Sequence, residues 1–203
     1  NGSRHGDCVS TLRAMDKCWI WAASPRAAAH KRKARAAFSR NVGIAAWDDK
    51  EKGLIRLIFQ VVGKTTAAMS CLNVGDSIKD ISGPLGTPSE VEKFGTVLMV
   101  GGGVGIAALY PIIKELKMAG NKVITILGGR TSELVVMKEE CAEYSDELII
   151  TTDDGSEGMK GVVTEAMKMV VERGEKVDRC WCIGPSIMMK FGTKAAKELG
   201  LPI

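Results

Sequence analysis

The sequence predicts an α/β fold in which short antiparallel strands, the remnant of a small barrel, precede a doubly wound parallel sheet. From Thr96 onward, strand patterns alternate regularly with helical patterns, as they do in sheets built from right-handed crossovers. Before Thr96, short strands are separated by turns, which is typical of a barrel. A glycine-rich turn joins the first predicted strand of the parallel sheet to the helix that follows it.

The parallel sheet is predicted from four strands, each followed by a helix. We expect the strands at residues 96–100, 122–128, 147–152 and 178–183, and the helices near residues 104–119, 131–142, 159–173 and 186–199. Because the carboxyl ends of parallel strands share one edge, where ligands bind, the loops after these strands should lie together. These loops contain Gly101, Gly102, Gly103 and Gly105; Gly128, Gly129, Arg130 and Thr131; Thr152, Asp153, Asp154, Gly155 and Ser156; and Gly184, Pro185 and Ser186.

The glycine-rich turn follows an apolar run at residues 97–100, which has the pattern of a strand buried on both faces. Glycine lets the backbone approach a ligand closely, and the N-terminus of the next helix attracts an anion, most often a phosphate. The nearest match to a dinucleotide motif is Gly103-x-Gly105-x-x-Ala108, and such a motif alone is weak evidence. The turn favours a nucleotide site, and a tight turn without a ligand is the alternative.

Residues 44–94 are expected to form the barrel remnant. Residues 54–62 read as a strand, after which Gly63-Lys64-Thr65-Thr66 introduces a short helix. The Lys and Thr side chains could meet a phosphate, and a plain helix N-cap explains the same residues at least as well. A second turn, Gly83-Pro84-Leu85-Gly86, follows a short predicted strand at residues 77–81.

The basic excess of the chain is confined to residues 1–43. This segment carries nine Lys and Arg against two Asp and Glu, whereas the remaining residues carry 19 and 22. It shows no convincing hydrophobic periodicity, and we expect it to be poorly ordered or aberrant. A basic arm for nucleic acid or anionic lipid is the alternative, but the acidic balance of the rest argues against nucleic acid as a partner.

Composition excludes several classes of protein. No apolar run approaches the roughly 18 residues of a membrane-spanning helix, and no secretory signal pattern is present at the N-terminus. The six cysteines are scattered without Cys-x-x-Cys spacing, so we expect no metal ligands and a reducing, cytoplasmic setting. Cys180 and Cys182 point to one side of a strand, where core packing is the favoured role.

Five motifs in order, between Ile44 and Ile203, resemble the ferredoxin–NADP reductase superfamily. Within it, the resemblance is closest to the electron-transfer subunit of dihydroorotate dehydrogenase and to its sulfide dehydrogenase relatives. The latter include the small subunit of NADH-dependent ferredoxin–NADP oxidoreductase. The motifs are Gly63-Lys64-Thr65-Thr66, Gly83-Pro84-Leu85-Gly86, residues 101–109, Thr152-Asp153-Asp154-Gly155-Ser156 and residues 183–189.

The resemblance implies a FAD-binding barrel followed, from residue 95, by an NAD(P)-binding domain. Residues 63–66 and 83–86 would then lie near the flavin, while Gly101, Gly102, Gly103, Gly105, Ile106 and Ala107 would hold the nucleotide pyrophosphate. Gly184, Pro185, Ser186 and Met188 would border the nicotinamide, and Asp154, Gly155 and Ser156 would line the same cleft. Hydride would pass from NAD(P)H to the flavin, and single electrons would pass onward to an iron–sulfur partner.

The chain departs from the family in two places. Family members grip the flavin with an Arg-x-[Tyr/Pro]-x-[Ser/Thr] segment, where this chain has residues 38–43 without that motif. The relatives continue into a Cys-rich tail that binds a [2Fe–2S] cluster, and we expect this chain to stop before it. A non-catalytic NAD(P)-binding module that lacks its flavin half is therefore the alternative function.

The resemblance also implies partners and a nucleotide preference. A larger redox subunit is expected, and ferredoxin or a similar electron carrier is a possible partner. Arg130, which follows the second strand of the parallel sheet, favours NADP(H) on its own because a guanidinium pairs well with a 2′-phosphate. The relatives favour NADH slightly, and in either case we expect Arg130 to contact the adenosine half.

Overall fold

The computed structural model describes residues 13–15, 18–23, 42–49, 54–73, 76–78 and 87–203. The chain divides into two compact units, Asn1–Thr87 and Pro88–Ile203. The predicted turn Gly83-Pro84-Leu85-Gly86 and the basic stretch at residues 24–40 lie outside the described residues.

The first unit contains a four-stranded antiparallel sheet. Its strands are β1 (Arg13–Met15), β2 (Cys18–Ala23), β3 (Val42–Asp49) and β4 (Leu54–Gln60), in the order β1-β2-β4-β3. Helix α1 (Lys64–Ser70) follows β4. Leu57, Ile58 and Phe59 in the middle of β4 are all buried, so this strand is covered on both of its faces.

Strands β1 and β2 lie in a segment to which the sequence assigned no elements. Residues 1–43 were expected to be poorly ordered or aberrant, and within them the structure has strands at residues 13–15 and 18–23. Strand β2 pairs with β4 along its whole length, from Cys18 opposite Gln60 to Ala23 opposite Ile55. The partner of β2 is distant in the sequence, so local periodicity does not reveal the pairing. The complete barrel remains a proposal.

The second unit is built on a five-stranded sheet in which every neighbouring pair is parallel. Its strands are β5 (Thr96–Gly102), β6 (Lys122–Gly129), β7 (Glu147–Thr152), β8 (Met159–Lys160) and β9 (Arg179–Ile183), in the order β8-β7-β6-β5-β9. The order of the strands therefore reverses between β5 and β9. In open α/β sheets, ligands bind at such a reversal, outside the carboxyl ends of the strands.

Helices cover both faces of this sheet. Helices α2 (Gly105–Met118) and α3 (Lys138–Glu143) contact each other on one face, and α4 (Val163–Glu172) and α5 (Ser186–Glu198) contact each other on the opposite face. Side chains alternate along the strands, so Leu98 and Val100 join the core beneath α4 and α5.

The parallel strands lie close to where the sequence predicts them, but two connections differ. The helix expected at residues 131–142 is a 3-10 turn (Ser132–Leu134), an extended stretch and the short helix α3. Met137 begins α3 with a left-handed backbone (φ 56°), which no local pattern predicts for a methionine. The helix expected from residue 159 instead begins at Val163, because Met159 and Lys160 pair with β7 as strand β8.

The two cysteines of β9 are core residues, as predicted. Cys180 is buried in the cluster beneath α4 and α5, and Cys182 packs against the same cluster. Burial raises the pKa of Cys180 to about 12 and also raises the pKa of Cys182. Both thiols are therefore protonated at neutral pH, which is the state suited to packing rather than to redox chemistry.

Candidate functional site

The candidate site is the carboxyl edge of the parallel sheet, where the structure brings together the four loops that the sequence singled out. These loops follow β5, β6, β7 and β9. Because the strands are parallel neighbours, their loops lie side by side in the order β7, β6, β5, β9. The turn between β5 and α2 is thus flanked by the β6 loop on one side and the β9 loop on the other.

The turn between β5 and α2 presents backbone amides and little side-chain bulk. Gly103 has a left-handed backbone (φ 54°), and a Cβ there would have only Pro185 Cγ as a neighbour, at 4.0 Å. The Gly103 amide donates to the Gly128 carbonyl (3.3 Å), whereas no backbone acceptor among residues 87–203 engages the amides of Val104 and Gly105. Free amides at the positive end of a 14-residue helix suit an anionic ligand.

Gly105 serves a different purpose from Gly103. A Cβ at Gly105 would lie 2.6 Å from Gly184 Cα and 2.7 Å from the Ile183 carbonyl oxygen. The first turn of α2 therefore rests directly on the backbone at the end of β9. This close approach holds the two sides of the strand-order reversal together, and only glycine permits it.

Met188 fills the space above two glycines at the same edge. A Cβ at Gly184 would lie 2.7 Å from Met188 Cε, and a Cβ at Gly102 would overlap Met188 Sδ. Met188 is half-buried and packs against the core beneath α4 and α5, whereas Pro185 and Ser186 are exposed. The Met188 side chain thus lines the β9 side of the edge.

Ile106 and Ala107, which the resemblance assigned to the pyrophosphate, are fully buried. Their amides donate within the first helical turn, to the carbonyls of Gly103 (3.2 Å) and Val104 (3.2 Å). Their side chains and amides are therefore occupied by the protein itself. The contribution that these two residues can make to a ligand is to hold the turn in shape.

The loops after β6 and β7 are hydrogen-bonded to each other. The amides of Asp153 and Asp154 donate to the carbonyls of Gly129 (3.1 Å) and Arg130 (3.3 Å), which extends the ladder between the strands. The Ser132 amide donates to Ser156 Oγ (2.8 Å). The two loops thus form one hydrogen-bonded corner of the site.

Within this corner, the Asp154 carboxylate accepts hydrogen bonds from its own loop. Ser156 donates to Asp154 Oδ1 from its hydroxyl (2.7 Å) and from its amide (2.9 Å). These bonds hold the pKa of Asp154 below its usual value, and the bond from the hydroxyl has the larger effect. Asp154 is therefore an anion at neutral pH, and the bonds fix its orientation.

Two exposed cations border the corner. The Arg130 side chain has no ion pair or hydrogen bond within residues 87–203. Lys160, at the end of β8, likewise lacks an ion pair among these residues, and its stem crosses Gly155 (φ 78°). A Cβ at Gly155 would lie 3.2 Å from three of the stem carbons of Lys160. Lys160 was not predicted from the sequence, because a two-residue strand leaves no pattern.

In the first unit, the predicted phosphate-binding residues form an N-cap. Thr66 is buried, and its Oγ1 accepts hydrogen bonds from the amides of Val62 and Gly63 (3.1 Å each). Thr66 is the third residue of α1, and its hydroxyl caps the start of the helix from that position, which supports a capping role for this turn. Lys64 is exposed and Thr65 is half-buried, so their side chains are accessible in the first unit.

The described residues contain no group of three or more His, Cys, Asp or Glu side chains that could hold a metal ion. Among the same residues, no helix combines the length and apolar character needed to cross a membrane.

Comparison with known proteins identifies the family. Residues 99–194 match the oxidoreductase NAD-binding domain. The chain is 57% identical, over 153 residues, to the dihydroorotate dehydrogenase B (NAD(+)) electron transfer subunit homolog of Thermotoga maritima, covering 75% of this chain and 54% of that protein. It is 37% identical, over 146 residues, to the corresponding subunit of Streptococcus pneumoniae, covering 70% and 55%. The chain thus spans about half the length of the curated relatives that it matches.

Solved structures agree with these relatives. The structure of an NADH-dependent reduced ferredoxin–NADP oxidoreductase is 42% identical with a TM-score of 0.79, and the match covers all of this chain and 76% of that one. The ferredoxin reductase of carbazole 1,9a-dioxygenase shares the fold at 14% identity, with a TM-score of 0.70 over 96% of this chain and 65% of that one. The resemblance drawn from the sequence motifs is confirmed. The chain belongs to the ferredoxin–NADP reductase superfamily, in the group that includes the dihydroorotate dehydrogenase B electron transfer subunits and the NADH-dependent reduced ferredoxin–NADP oxidoreductase.

Proposed function

We propose that this chain is part of a flavoprotein oxidoreductase subunit that passes electrons between NAD(P)H, FAD and an iron–sulfur partner. The observation that supports this function best is the turn between β5 and α2. It presents the unengaged amides of Val104 and Gly105 at the point where the strand order reverses. That combination suits the pyrophosphate of a dinucleotide.

The order of the loops along the edge suggests how the dinucleotide lies. With its pyrophosphate at Gly101, Gly102, Gly103 and Gly105, one half of the ligand extends over the β6 and β7 loops and the other half over the β9 loop. The exposed guanidinium of Arg130 and the Asp154–Ser156 corner suit the adenosine half. Gly184, Pro185 and Ser186, together with the Met188 side chain that lines this side of the edge, suit the nicotinamide half.

FAD is proposed for the first unit because the solved relative is described as carrying out flavin-based electron bifurcation. When bound, FAD supplies the conversion between two-electron and single-electron transfer. Lys64 and Thr65 are the accessible members of the predicted flavin turn, and Thr66 supports that turn from below. Gly83, Pro84, Leu85 and Gly86 are proposed to border the flavin on the strength of the resemblance.

The partners follow from the same relatives. Because the curated relatives are electron transfer subunits, we propose that a larger redox subunit binds this protein in a hetero-oligomer. Ferredoxin or a similar carrier is the proposed recipient of single electrons. The iron–sulfur centre is proposed to lie in a segment or subunit other than the residues described here.

The function is tested by electron transfer from NADH to FAD. FAD is added to the purified protein under anaerobic conditions, NADH is then added, and the loss of visible flavin absorbance is followed. We expect reduction to be faster than for free FAD with NADH, and Gly103→Val to abolish the acceleration by blocking the pyrophosphate. If NADH binds but FAD is reduced no faster than in free solution, the chain is a non-catalytic NAD(P)-binding module instead.

The choice of nucleotide is a separate question. We propose NADH, in line with the relative described as NADH-dependent, with Arg130 contacting the adenosine half. The test compares the dissociation constants of NADH and NADPH for the wild type and for Arg130→Ala. Tighter binding of NADPH than of NADH by the wild type would reverse the preference. If neither constant changes in the variant, Arg130 does not contact the adenosine half.

A further inference from the structure

Arg130 and Thr131 form a two-residue tip in the corner between the β6 and β7 loops. A hydrogen bond to the β7 loop holds the tip at each of its two ends. On the strand side, the Asp154 amide donates to the Arg130 carbonyl (3.3 Å). On the far side, the Ser132 amide donates to Ser156 Oγ (2.8 Å). The first bond joins two backbones, so the second is the bond that depends on a particular side chain.

The hydroxyl of Ser156 is itself fixed. It donates to Asp154 Oδ1 (2.7 Å), and the Ser156 amide donates to the same oxygen (2.9 Å). Gly155 permits the reversal that returns Ser156 toward the β6 loop. Its backbone is left-handed (φ 78°), and its amide donates a hydrogen bond to the Thr152 carbonyl (3.2 Å). A hydroxyl with its proton committed to Asp154 presents its lone pairs to the Ser132 amide.

A held tip matters because the side chain that it carries is long and flexible. The Arg130 guanidinium has no protein partner within residues 87–203, so no contact of its own fixes its direction. Ordering such a side chain on a ligand costs conformational entropy, and a mobile backbone beneath it would add to that cost. The hydrogen bond from the Ser132 amide to Ser156 Oγ, the clip, holds the end of the tip and so removes the backbone part of the cost before the ligand arrives.

We propose that Ser156 is a positioning residue for the nucleotide, and that it acts through Arg130 by clipping the β6 loop to the β7 loop. This inference rests on the proposed function, in which Arg130 contacts the adenosine half. It gives Ser156 a role that differs from direct contact with the ligand. The two roles are separable, because an indirect effect depends on the presence of the Arg130 side chain and a direct one does not.

The experiment is a double-mutant cycle on NADH affinity in the full chain. Ser156→Ala removes the clip from the β7 side and should raise the dissociation constant of NADH about fivefold. Ser132→Pro removes the donated amide from the β6 side. Proline suits this place, because Ser132 is the first residue of a helical turn and Thr131 before it is extended (φ −135°, ψ 162°). It should weaken binding by a similar factor.

The decisive comparison uses Arg130→Ala as the background. In that background, Ser156→Ala should have no further effect on NADH affinity, because the side chain through which it acts is gone. Ser145→Ala is the matched control. Ser145 lies near the amino end of β7, where its hydroxyl donates to the Cys141 carbonyl (2.7 Å) and bonds to Thr125 Oγ1 (2.6 Å). It should leave the affinity unchanged.

Each other outcome overturns the inference. Wild-type affinity in Ser156→Ala would show that the clip does not assist binding, and an equal loss in both backgrounds would show that Ser156 acts independently of Arg130. If Arg130→Ala has wild-type affinity, Ser156 has nothing to act through, while NADH binding by the wild type still supports the proposed function. If the wild type does not bind NADH, the proposed function and this inference fail together.

Discussion

The two edges of the parallel sheet differ in how many polar groups the protein leaves unengaged. At the carboxyl edge, glycine turns leave amides unengaged and the cations Arg130 and Lys160 without ion pairs among the described residues. At the amino edge, where the same strands begin, side chains bond to the backbone and to one another. The difference indicates that the amino edge contributes stability and that the carboxyl edge is kept available for a ligand.

Asn121 illustrates the amino edge. Its side chain is buried between the starts of β5 and β6, where Oδ1 accepts from the amides of Phe94 (2.7 Å) and Gly95 (3.0 Å). Its Nδ2 donates to the carbonyls of Glu92 (2.8 Å) and Leu116 (2.8 Å). One side chain thus satisfies four backbone groups, and it joins the segment before β5 to the end of α2.

Two aspartates repeat a common arrangement along the same edge. Asp146 Oδ2 accepts from the Val123 amide (2.7 Å), and the Asp146 amide donates to the Val123 carbonyl (2.8 Å). Asp178 is paired with Thr96 in the same way, at 2.9 Å and 2.8 Å. Each aspartate therefore fixes the register between the starts of two neighbouring strands.

The largest effect is expected from Asn121→Leu, which removes all four hydrogen bonds while keeping a similar volume. The half-buried amides of Phe94 and Gly95 lose their acceptor, so the free energy of unfolding should fall by about 2–4 kcal/mol. Urea denaturation measures the loss. Lys176→Ala is the control on the same edge, because its ion pair with Asp178 is long (3.5 Å) and Lys176 is exposed. A loss below about 1 kcal/mol in Asn121→Leu would contradict the role given to this edge.

A pair of glycine substitutions separates folding from binding at the carboxyl edge. Gly105→Ala drives a Cβ into the Gly184 backbone, so it should lower the free energy of unfolding by about 2 kcal/mol. Gly103→Ala meets open space but keeps a left-handed backbone, which costs about 1 kcal/mol. Its Cβ should also hinder the pyrophosphate and raise the dissociation constant of NADH about tenfold.

Thermal unfolding and NADH titration measure this pair. Gly105→Val, which the sequence alone would suggest as a binding test, is a poor choice, because it disturbs the contact between α2 and β9. Equal losses of stability in Gly103→Ala and Gly105→Ala would contradict the distinction drawn between the two glycines.

A smaller effect is expected from acid. The hydrogen bond from Lys117 is the largest cause of the lowered pKa of Asp146. The bond from the Thr96 amide is the largest cause of the lowered pKa of Asp178. A carboxyl group with a lowered folded-state pKa contributes stability above its unfolded pKa, which is 3.8 for Asp, and loses it as the pH falls through the folded value. The free energy of unfolding should therefore decrease as the pH is lowered below about 4.

Asp146→Asn tests the source of that decrease. It should reduce the loss of unfolding free energy at acid pH by less than about 1 kcal/mol, because Asp146 is partly exposed and solvent screens its charge. Denaturation at a series of pH values provides the measurement. An unchanged slope in Asp146→Asn would show that the acid sensitivity originates elsewhere.

The sequence predicted the carboxyl edge better than the amino edge. Glycine turns after apolar runs leave a local pattern, and so Gly101, Gly103 and Gly184 could be placed at one edge of the sheet from the expected parallel strands alone. The bonds of Asn121, Asp146 and Asp178 join residues distant in the sequence, and nothing local marks them. Lys160 was missed for the same reason, since its strand is defined by the pairing with β7.

Two structural features also could not be predicted from local pattern. Leu134, Val135, Val136 and Met137 are apolar in a run that suits a helix, but the structure buries residues 135–137 ahead of α3, with Val135 extended and Met137 left-handed. Strands β1 and β2 depend on their pairing, and in the case of β2 the partner is β4. In both places tertiary contacts override the local preference.

The comparison of the two edges is tested most directly on strand β6, which carries an exposed cation at each end. Arg130 follows its last residue, and Lys122 is its first, paired with Glu175 at 2.8 Å. The measurement is the dissociation constant of NADH for Arg130→Ala and Lys122→Ala in the full chain. We expect Arg130→Ala to weaken binding about tenfold and Lys122→Ala to bind as the wild type does. Weaker binding in Lys122→Ala together with wild-type affinity in Arg130→Ala would contradict the assignment of the ligand to the carboxyl edge.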